Sequence, residues 1–492
     1  MLSDPDKFDC LPLQKLYGFN VIYKGKIKKK ENEINSLNIQ RKLANALAEK
    51  GEVAGALELL NTFEESGSSS CYEIELNAAI AHLRLLMIRQ ELSMRPEQRL
   101  LYDETIVLPA MKTQVSRGGS SMIKKASIDH ELRAMRDALN QSIEQISEAH
   151  QIGWCRERPT IIENLCKESV YATFLKHQMS SNSRMIVNNY SLLCSYYMSM
   201  ASGINMRREM QYCLGIKLNQ SFAGHSPSET EWPMNSREKQ SYYERLSRMT
   251  RNPNWLQGHL NTLQELYREE HGLNDSEFQA KFVDILPNNW TVCSLSLDIL
   301  NGDLYVAQLR ANEPPFAVKL PLNRANQRPG DDSSYNSIQY IDAVTELKDI
   351  IQGSDETITN SANCNQAGQI EAWWNTRKNL DARLKKLLDD MENQWLSGFK
   401  GLLTGCCREY KEELVKFQKA MNEIIFKTVN GITAAKLKVD LSLNFCRNVV
   451  RLGRYPTNRD LEDVVYFSMS CYEAQNIQID YTKVDFKKVS YF

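Results

Sequence analysis

Apolar residues recur at intervals of three and four through most of the first 280 positions, a spacing that predicts amphipathic helices. One stripe begins near Ile39 and runs to Leu60, and the polar segment Glu64–Ser70 ends it. Further helical stripes are Ile74–Ile88, Ile128–Ile146, Cys166–Leu175, Ile186–Met200 and Met206–Ile216, followed by a charged helical stretch over residues 236–271. The pattern predicts a mostly helical first part of the chain.

The first two predicted helices carry small Ala and Gly residues where they would meet, which resembles a tetratricopeptide-type hairpin. No strict period of about 34 residues follows, so the expected form is an irregular helical array. Such an array by itself indicates a surface for partner proteins rather than a chemical activity.

After residue 280 the pattern changes from helical to β-type. Val292–Leu297 and Leu304–Leu309 are short apolar runs on either side of Asn301-Gly302, which predicts a β-hairpin. A third run, Pro314–Leu322, begins and ends near prolines, and it is therefore predicted to be an edge strand. The polar stretch that follows it is predicted to be a loop.

The most regular helical stripe of the chain runs from Ile370 to Trp395. A second stripe over Glu409–Val429 is predicted to pair with it as a long antiparallel helical hairpin. Lys436–Cys446 returns to β-like alternation, and Leu461–Tyr472 is predicted to be a helix. At the start of this last helix, Asp460, Glu462 and Asp463 are favourably placed for the helix dipole.

Two adjacent tryptophans, Trp373 and Trp374, lie within the long leucine-rich stripe. This spacing favours a core position for their side chains over contact with a substrate. Replacing either by Ala would then lower the free energy of unfolding by about 3–5 kcal/mol.

Composition excludes several classes of protein. The 492 residues include 60 Lys and Arg against 61 Asp and Glu, so charge alone would not bind the chain to nucleic acid. A basic run from Lys24 to Lys30 could act in nuclear import or on an anionic surface, but a solvated loop is the favoured interpretation. We expect no signal peptide and no membrane span, and we expect the 12 cysteines to be free thiols in a reducing compartment.

No sequence motif indicates an active site. Phosphate-binding glycine loops, HExxH, C-x-x-C and GxSxG are all absent from the sequence. Polar or capping surroundings argue against catalytic or metal-binding roles for the remaining candidates, which are His225, His271, Cys406-Cys407, Asp331-Asp332 and Asp389-Asp390. The expectation is therefore no catalytic residue, no metal ligand and no cofactor-binding residue.

Four sequence blocks nevertheless resemble, in order, the C-terminal region of separase, the caspase-like cysteine protease of anaphase. The first is ILPNNWTVCSLSLD with the β-hairpin and PPFAVKLPL after it. The second is the tryptophan-rich helix of Glu371–Gly405, and the third is DLEDVVYFSMSCYEAQN at Asp460–Asn476. Asp480 and Asp485-Phe486 form the fourth, which resembles an acidic stretch of that family.

The resemblance implies a fold, an activity and partners. The implied fold is mostly α: a helical array, then a caspase-like pseudoprotease or substrate-binding sheet with an inserted helical hairpin. The implied activity is a cysteine endopeptidase that cleaves the cohesin kleisin subunit to release sister chromatids. Securin is the implied inhibitory partner, and the implied location is cytoplasm and nucleus, with spindle or centrosome in mitosis.

In separases the catalytic His and Cys follow the helix that Leu461–Tyr472 resembles. We therefore expect this chain to end before both, and we assign it no catalytic residue. Three ranges are predicted: a weakly ordered N-terminus (1–36), the helical array (37–280) and the separase-like region (281–492), with inserted helices at about 366–430. The alternative to a separase-family function is a non-catalytic helical scaffold that binds a protein partner.

Overall fold

A computed structural model of the chain describes most of the residues from 39 onwards. The described ranges are 39–48, 50–65, 73–93, 105–108, 112–115, 126–155, 159–179, 189–214 (without 205, 208 and 211), 258–263, 275–298, 302–324, 339–361, 366–404, 411–432, 437–453, 456–473, 479–480 and 483–484. The chain divides into two compact units, Met1–Met87 and Ile88–Phe492. The three predicted domain ranges stay predictions.

The first unit is helical, as the apolar spacing predicted. It contains α1 (residues 39–48), α2 (Val53–Glu65) and the larger part of α3 (Glu73–Ser93). Gly51 lies in the turn between α1 and α2 with a φ of 89°, a conformation that glycine adopts without steric cost. The helices bury one shared cluster, which includes Ala44, Ala56, Leu60 and Ile80.

The second unit combines helices with two small sheets. Its N-terminal elements are β1 (Ile106–Leu108), β2 (Lys112–Val115), α4 (Ala126–Cys155), α5 (Pro159–Met179), α6 (Asn189–Ala201) and α7 (Asp275–Phe278), which continues as a π-helical turn over Gln279–Val283. Its C-terminal elements are β3 (Val292–Asp298), β4 (Asp303–Leu309), β5 (Phe316–Pro321), α8 (Tyr340–Asn360), α9 (Ala367–Asp390), a π-helical turn (Met391–Leu396), a 3-10 helix (Ser397–Leu403), α10 (Lys411–Ile432), β6 (Leu437–Asp440), α11 (Leu443–Val450) and α12 (Asn458–Glu473).

The larger sheet is antiparallel, with the strand order β1-β5-β4-β3. The predicted hairpin is present: β3 pairs with β4 in the register Leu295↔Val306, and Gly302 adopts a positive φ in the turn. The prediction that the third strand lies at an edge is wrong, because β1 pairs with the outer side of β5. Pro321 is tolerated there because it is the last residue of β5, where the ladder ends.

Helices cover the two faces of this sheet. Val306, Phe316 and Val318 point to one face, where they pack into the largest core cluster together with residues of the 3-10 helix and of α10 to α12. Tyr305 and Ala317 point to the opposite face and pack against α5 and α6. Because alternate residues of a strand face opposite sides, the sequence of β5 is that of a strand buried on both faces: it is apolar except for Lys319, which pairs with the buried Asp303 of β4 at 3.2 Å.

A long antiparallel helical hairpin follows the sheet, but its two helices differ from those predicted. α9 pairs with α8, as the ion pair of Arg383 with Glu346 at 2.8 Å shows. The predicted partner, now α10, packs into the main core through Leu414 and Met421. α8 was missed because only its Ala343, Ile350 and Thr357 positions are buried, and they form a narrow seam in a largely polar helix.

The two tryptophans of α9 do not lie in a core. The Trp374 side chain is 54% exposed, so the core interpretation is wrong for this residue. Trp373 is half-buried, and its Nε1 donates a hydrogen bond to the Thr357 carbonyl of α8 at 2.8 Å. The two rings contact each other edge to face, with centroids 4.9 Å apart.

We expect Trp373→Phe to lower the free energy of unfolding by about 1 kcal/mol, since it removes the hydrogen bond to Thr357 and keeps most of the ring contact. Trp374→Phe is the matched control, and it should change that free energy by less than about 0.5 kcal/mol. Guanidinium-induced unfolding followed by circular dichroism measures both. Equal effects of the two substitutions would contradict the assigned contact.

The C-terminal elements only partly match the predicted pattern. The β-like stretch Lys436–Cys446 is a strand only over β6, which pairs with β2, and then becomes helix α11. The helix predicted over Leu461–Tyr472 is present as α12. β1 and β2, which come from the predicted helical array, were not indicated by the sequence because each is only three or four residues long.

Several sequence interpretations concern residues outside the described ranges: the N-terminal range 1–36 with its basic run, His225, His271, Asp331-Asp332 and Cys406-Cys407. Within the described ranges, no helix combines the length and hydropathy needed to cross a bilayer.

Candidate functional site at the junction of sheet, hairpin and C-terminal helix

The candidate site is built around Arg324, which lies three residues after the end of β5. Its guanidinium is almost fully buried and faces Asp463 of α12. Nε donates to Asp463 Oδ1 at 3.2 Å, and Nη2 donates to Oδ2 at 2.8 Å. This two-point pairing of a planar guanidinium with a carboxylate connects the strand end to the C-terminal helix.

The remaining guanidinium hydrogens bind backbone carbonyl groups. Nη1 donates to Pro321 O at 3.2 Å and to Trp395 O at 2.6 Å, and Nη2 donates to Leu396 O at 2.9 Å. All five N–H donors of Arg324 therefore have acceptors, which offsets much of the cost of burying its charge. The guanidinium also lies over the Phe399 ring, 5.7 Å from the centroid.

The Trp395 and Leu396 carbonyls lie where the π-helical turn changes into the 3-10 helix. Ser397 at this change has φ 40° and ψ −123°, a conformation that non-glycine residues seldom adopt. The next residue, Gly398, donates its N–H to Asp463 Oδ2 at 3.0 Å and accepts a hydrogen bond from Asn448 Nδ2 at 2.9 Å. Asp463 thus binds both Arg324 and the strained turn.

Two glycines of the 3-10 helix, Gly398 and Gly401, lie where no larger residue fits. A Cβ on Gly398 would lie 2.7 Å from the Asp460 carbonyl oxygen, and a Cβ on Gly401 would overlap with the Asn448 carbonyl oxygen. The 3-10 helix therefore lies against the backbones of α11 and α12 more closely than any side chain would allow.

Asp460 makes a second buried ion pair at the start of α12. Its Oδ2 lies 2.7 Å from Lys400 Nζ and accepts the Thr457 N–H at 2.8 Å, while the Asp460 N–H donates to Thr457 Oγ1 at 3.2 Å. This reciprocal capping fixes the first turn of the helix. The sequence interpretation of Asp460 and Asp463 as dipole partners missed their burial in ion pairs; Glu462 between them is exposed.

Cys293 on β3 contacts the 3-10 helix through its thiol. Its Sγ donates to the Leu402 carbonyl at 3.1 Å, and Gln308 Nε2 donates to the same oxygen at 2.9 Å. Burial is the main reason that the pKa of the Cys293 thiol is raised above its usual value. This thiol helps to hold the 3-10 helix on the sheet and is unsuited to attack a substrate, which requires the thiolate.

Three other described cysteines also have thiols whose pKa is raised by burial. Burial raises the pKa of Cys166 and of Cys446 to about 12, and it also raises the pKa of Cys194. A catalytic thiol has a lowered pKa, so the environments of these three side chains are those of structural cysteines. Among the described residues, no three His, Cys, Asp or Glu side chains gather as a metal site would require.

We expect iodoacetamide at pH 8 to alkylate Cys213, which is exposed, and to leave Cys166 and Cys446 unmodified until the chain is unfolded. A pKa of about 12 instead of 9.0 leaves roughly a thousandfold less thiolate at this pH. Peptide mapping by mass spectrometry resolves each site. Rapid alkylation of Cys166 or Cys446 in the native chain would show that its environment is misassigned.

The junction fixes the relative positions of the end of β5, the 3-10 helix and α12 through its ion pairs. It brings together Arg324, Lys400, Asp460 and Asp463, none of which the sequence had indicated as a site residue. The only sequence signals were a basic residue just after a strand and two acidic residues near a helix start. The prediction that the chain contains no catalytic, metal-binding or cofactor-binding residue stays a prediction.

Comparison with known proteins finds similarity to separins. Residues 300–491, which contain the whole junction, match the family model described as separin, protease domain. The separin of Schizosaccharomyces pombe is 28% identical over 239 residues, covering 47% of this chain and 13% of that protein. The separin of Emericella nidulans is 29% identical over 221 residues, covering 43% of this chain and 10% of its own length. The mouse separin is 28% identical over 153 residues, 30% of this chain and 6% of that protein.

A solved structure shows the same fold. The crystal structure of the Saccharomyces cerevisiae separase–securin complex matches with a TM-score of 0.53 and 15% identity, covering 90% of this chain and 27% of the matched one. The fold is therefore a helical array with a caspase-like domain, as predicted. Together these matches confirm the resemblance to separase that the four sequence blocks indicated. The chain spans about an eighth or less of the length of these separin relatives.

Proposed function

We propose that this chain serves as the scaffold part of a separase. In this role it holds partner proteins and supports the cleavage of the cohesin kleisin subunit by a cysteine endopeptidase, without supplying the nucleophile from its described thiols. The observation that carries the proposal is the match of residues 300–491 to the separin protease domain. The raised pKa values of Cys166, Cys293 and Cys446 support a non-catalytic role for these residues.

The buried Arg324–Asp463 ion pair would make this scaffold rigid. It fixes the end of β5, the turn at Gly398 and the start of α12 in one arrangement. In a caspase-like domain, groups that bind a substrate stand at strand ends and on adjoining loops, so a rigid connection between sheet and helix keeps such loops in position.

Securin is the proposed inhibitory partner. The support is that the matched Saccharomyces cerevisiae separase was solved as a complex with securin. The proposed setting is chromosome segregation, in the cytoplasm and nucleus and at the spindle or centrosome in mitosis. No direct role with nucleic acid or a membrane is proposed.

Isothermal titration calorimetry of the purified chain with securin tests this partner. We expect saturable one-to-one binding, and no heat from a securin of the same composition with a scrambled sequence. A folded chain that gives no heat with either would overturn the securin proposal and favour the second candidate. That candidate is a non-catalytic scaffold for a different protein, and the specific observation in its favour is that Ile351, Ile358 and Trp374 of the α8–α9 hairpin are exposed.

A further inference from the structure

Strand β3 forms one edge of the larger sheet. It is the last strand in the order β1-β5-β4-β3, and all seven of its residues, Val292–Asp298, pair with β4 in unbroken register. A strand in this position presents a row of backbone N–H and C=O groups away from the sheet. Such a row is the template on which a further strand can pair.

The pairing on the other side of β4 shows which backbone groups of β3 point outwards. Leu322 N–H donates to the Gly302 carbonyl at 2.8 Å, and this bond flanks the non-hydrogen-bonded pair Asp303↔Pro321. Since the residues of a strand direct their N–H and C=O groups alternately to its two neighbours, Asp303 and every second residue after it bond to β3. Their partners on β3 are Asp298, Ser296, Ser294 and Val292. The three residues between these partners therefore direct their backbone groups away from the sheet.

These three residues are Cys293, Leu295 and Leu297, and each has one N–H and one C=O at the edge. Within the described ranges, no backbone or side-chain group makes a hydrogen bond to these outward groups. We call them, together with the Leu295 side chain, the β3 edge.

β3 lacks the features that protect most exposed sheet edges. Protected edge strands are short or bulged, or they carry a proline or a lysine. β3 is seven residues long and has no bulge, its sequence VCSLSLD contains neither residue, and its one charge, on Asp298, is at the end. The strand at the opposite edge, β1, is only three residues long and is largely buried. The sheet therefore has one protected edge and one that is suited to pairing.

Side chains on the two faces of β3 differ in polarity. Leu295, at the centre of the strand, is 56% exposed, and it lies on the same face as Cys293 and Leu297. Ser294 and Ser296 lie on the opposite face. A strand added beside β3 would place alternate side chains next to Leu295 and next to the serines. The segment that fits this edge thus alternates apolar residues with small polar residues.

We propose that the β3 edge binds an extended segment of another protein, one in which apolar residues alternate with small polar residues. The segment adds an antiparallel strand, the more stable of the two orientations, and its apolar side chains cover Leu295. A second copy of this chain is a poorer occupant, because seven residues per copy fall well short of the roughly 20–30 on each side of a stable interface between folded proteins. An extended segment needs only a few residues to pair with an edge. The proposal does not depend on proteolysis or on securin.

Fluorescence anisotropy with a labelled short peptide of alternating Val and Thr tests the proposal on the full chain. In an antiparallel strand beside β3, the Val amides face β3 and the Thr amides face solvent, because hydrogen-bonded residues have their side chains on the same face. N-methylation of the Val amides should therefore weaken binding at least tenfold, and N-methylation of the Thr amides should weaken it less than threefold. Equal or reversed effects of the two methylations, or no binding of the unmodified peptide, would overturn the proposal.

Two substitutions at one position separate the backbone bond from the side-chain contact. Leu295→Pro removes an outward N–H but no hydrogen bond to β4, and it should weaken binding of the unmodified peptide at least tenfold. Leu295→Val keeps both the N–H and an apolar side chain, and it should leave binding within twofold. Circular dichroism confirms that each variant is folded, and equal binding by the two folded variants would contradict pairing at this edge. If Leu295→Pro does not fold, the two methylated peptides decide the question on the unaltered chain.

Analytical ultracentrifugation tests the alternative occupant. We expect the chain to sediment as the same species with and without the Leu295→Pro substitution. A dimer that this substitution dissociates would assign the β3 edge to a second copy and would contradict the proposed segment of another protein.

Discussion

Asp463→Asn should lower the free energy of unfolding by about 3–5 kcal/mol, the largest effect that we expect from a single side chain in this protein. Asparagine has nearly the same shape as aspartate but leaves the buried guanidinium of Arg324 without a counter-ion. It also weakens the acceptor that binds the Gly398 N–H in the strained turn. Guanidinium unfolding followed by circular dichroism measures the loss, and hydrogen exchange should show it first in α12 and in residues 391–403.

The chain contains a matched control for this substitution. Arg383 and Glu346 make a similar two-point pair, with both hydrogen bonds at 2.8 Å, but each side chain is more than one-third exposed. Glu346→Gln should therefore lower the free energy of unfolding by no more than about 1 kcal/mol, because solvent screens the charges of this pair. If the two substitutions were equally costly, burial would not be the source of the stability of the junction.

Gly401→Ala should lower the free energy of unfolding by about 3 kcal/mol or more. The added methyl group would overlap with the Asn448 carbonyl oxygen, a backbone atom that cannot rotate away. The 3-10 helix would have to separate from α11, and the Gln308 hydrogen bond to Leu402 would be lost with it. The same denaturation measurement applies.

Gly431→Ala provides the comparison. Gly431 lies in α10, is exposed, and has no atom within 4 Å of the position that a Cβ would occupy. Alanine should therefore stabilise the chain by about 0.5–1 kcal/mol through its better helix propensity. A stable Gly401→Ala variant would mean that the close approach of the 3-10 helix to α11 is not a feature of the folded protein.

The parts of the fold that the sequence predicted correctly depend on local pattern. The β3–β4 hairpin follows from two apolar runs beside Asn301-Gly302, and α12 follows from a single apolar stripe. In both cases neighbouring residues determine the structure, so the sequence carries the information within a short window.

The parts that could not be predicted depend on distant residues. Arg324 and Asp463 are 139 positions apart in the sequence, and neither lies in a sequence motif that indicates which residue it will pair with. β1 pairs with β5 from far earlier in the chain, which is why β5 is central although its prolines suggested an edge. Trp374 follows the same helical stripe as buried residues, and only the position of α8 decides that it is exposed.

The measurement that tests the scaffold proposal most directly is incubation of the purified chain with a cohesin kleisin, with and without prior alkylation by iodoacetamide. The proposal predicts that the kleisin stays intact in both samples, while an active separase added to a third sample cleaves it. Cleavage by the chain that iodoacetamide abolishes would contradict the proposal, because one of the 12 cysteines would then be a nucleophile.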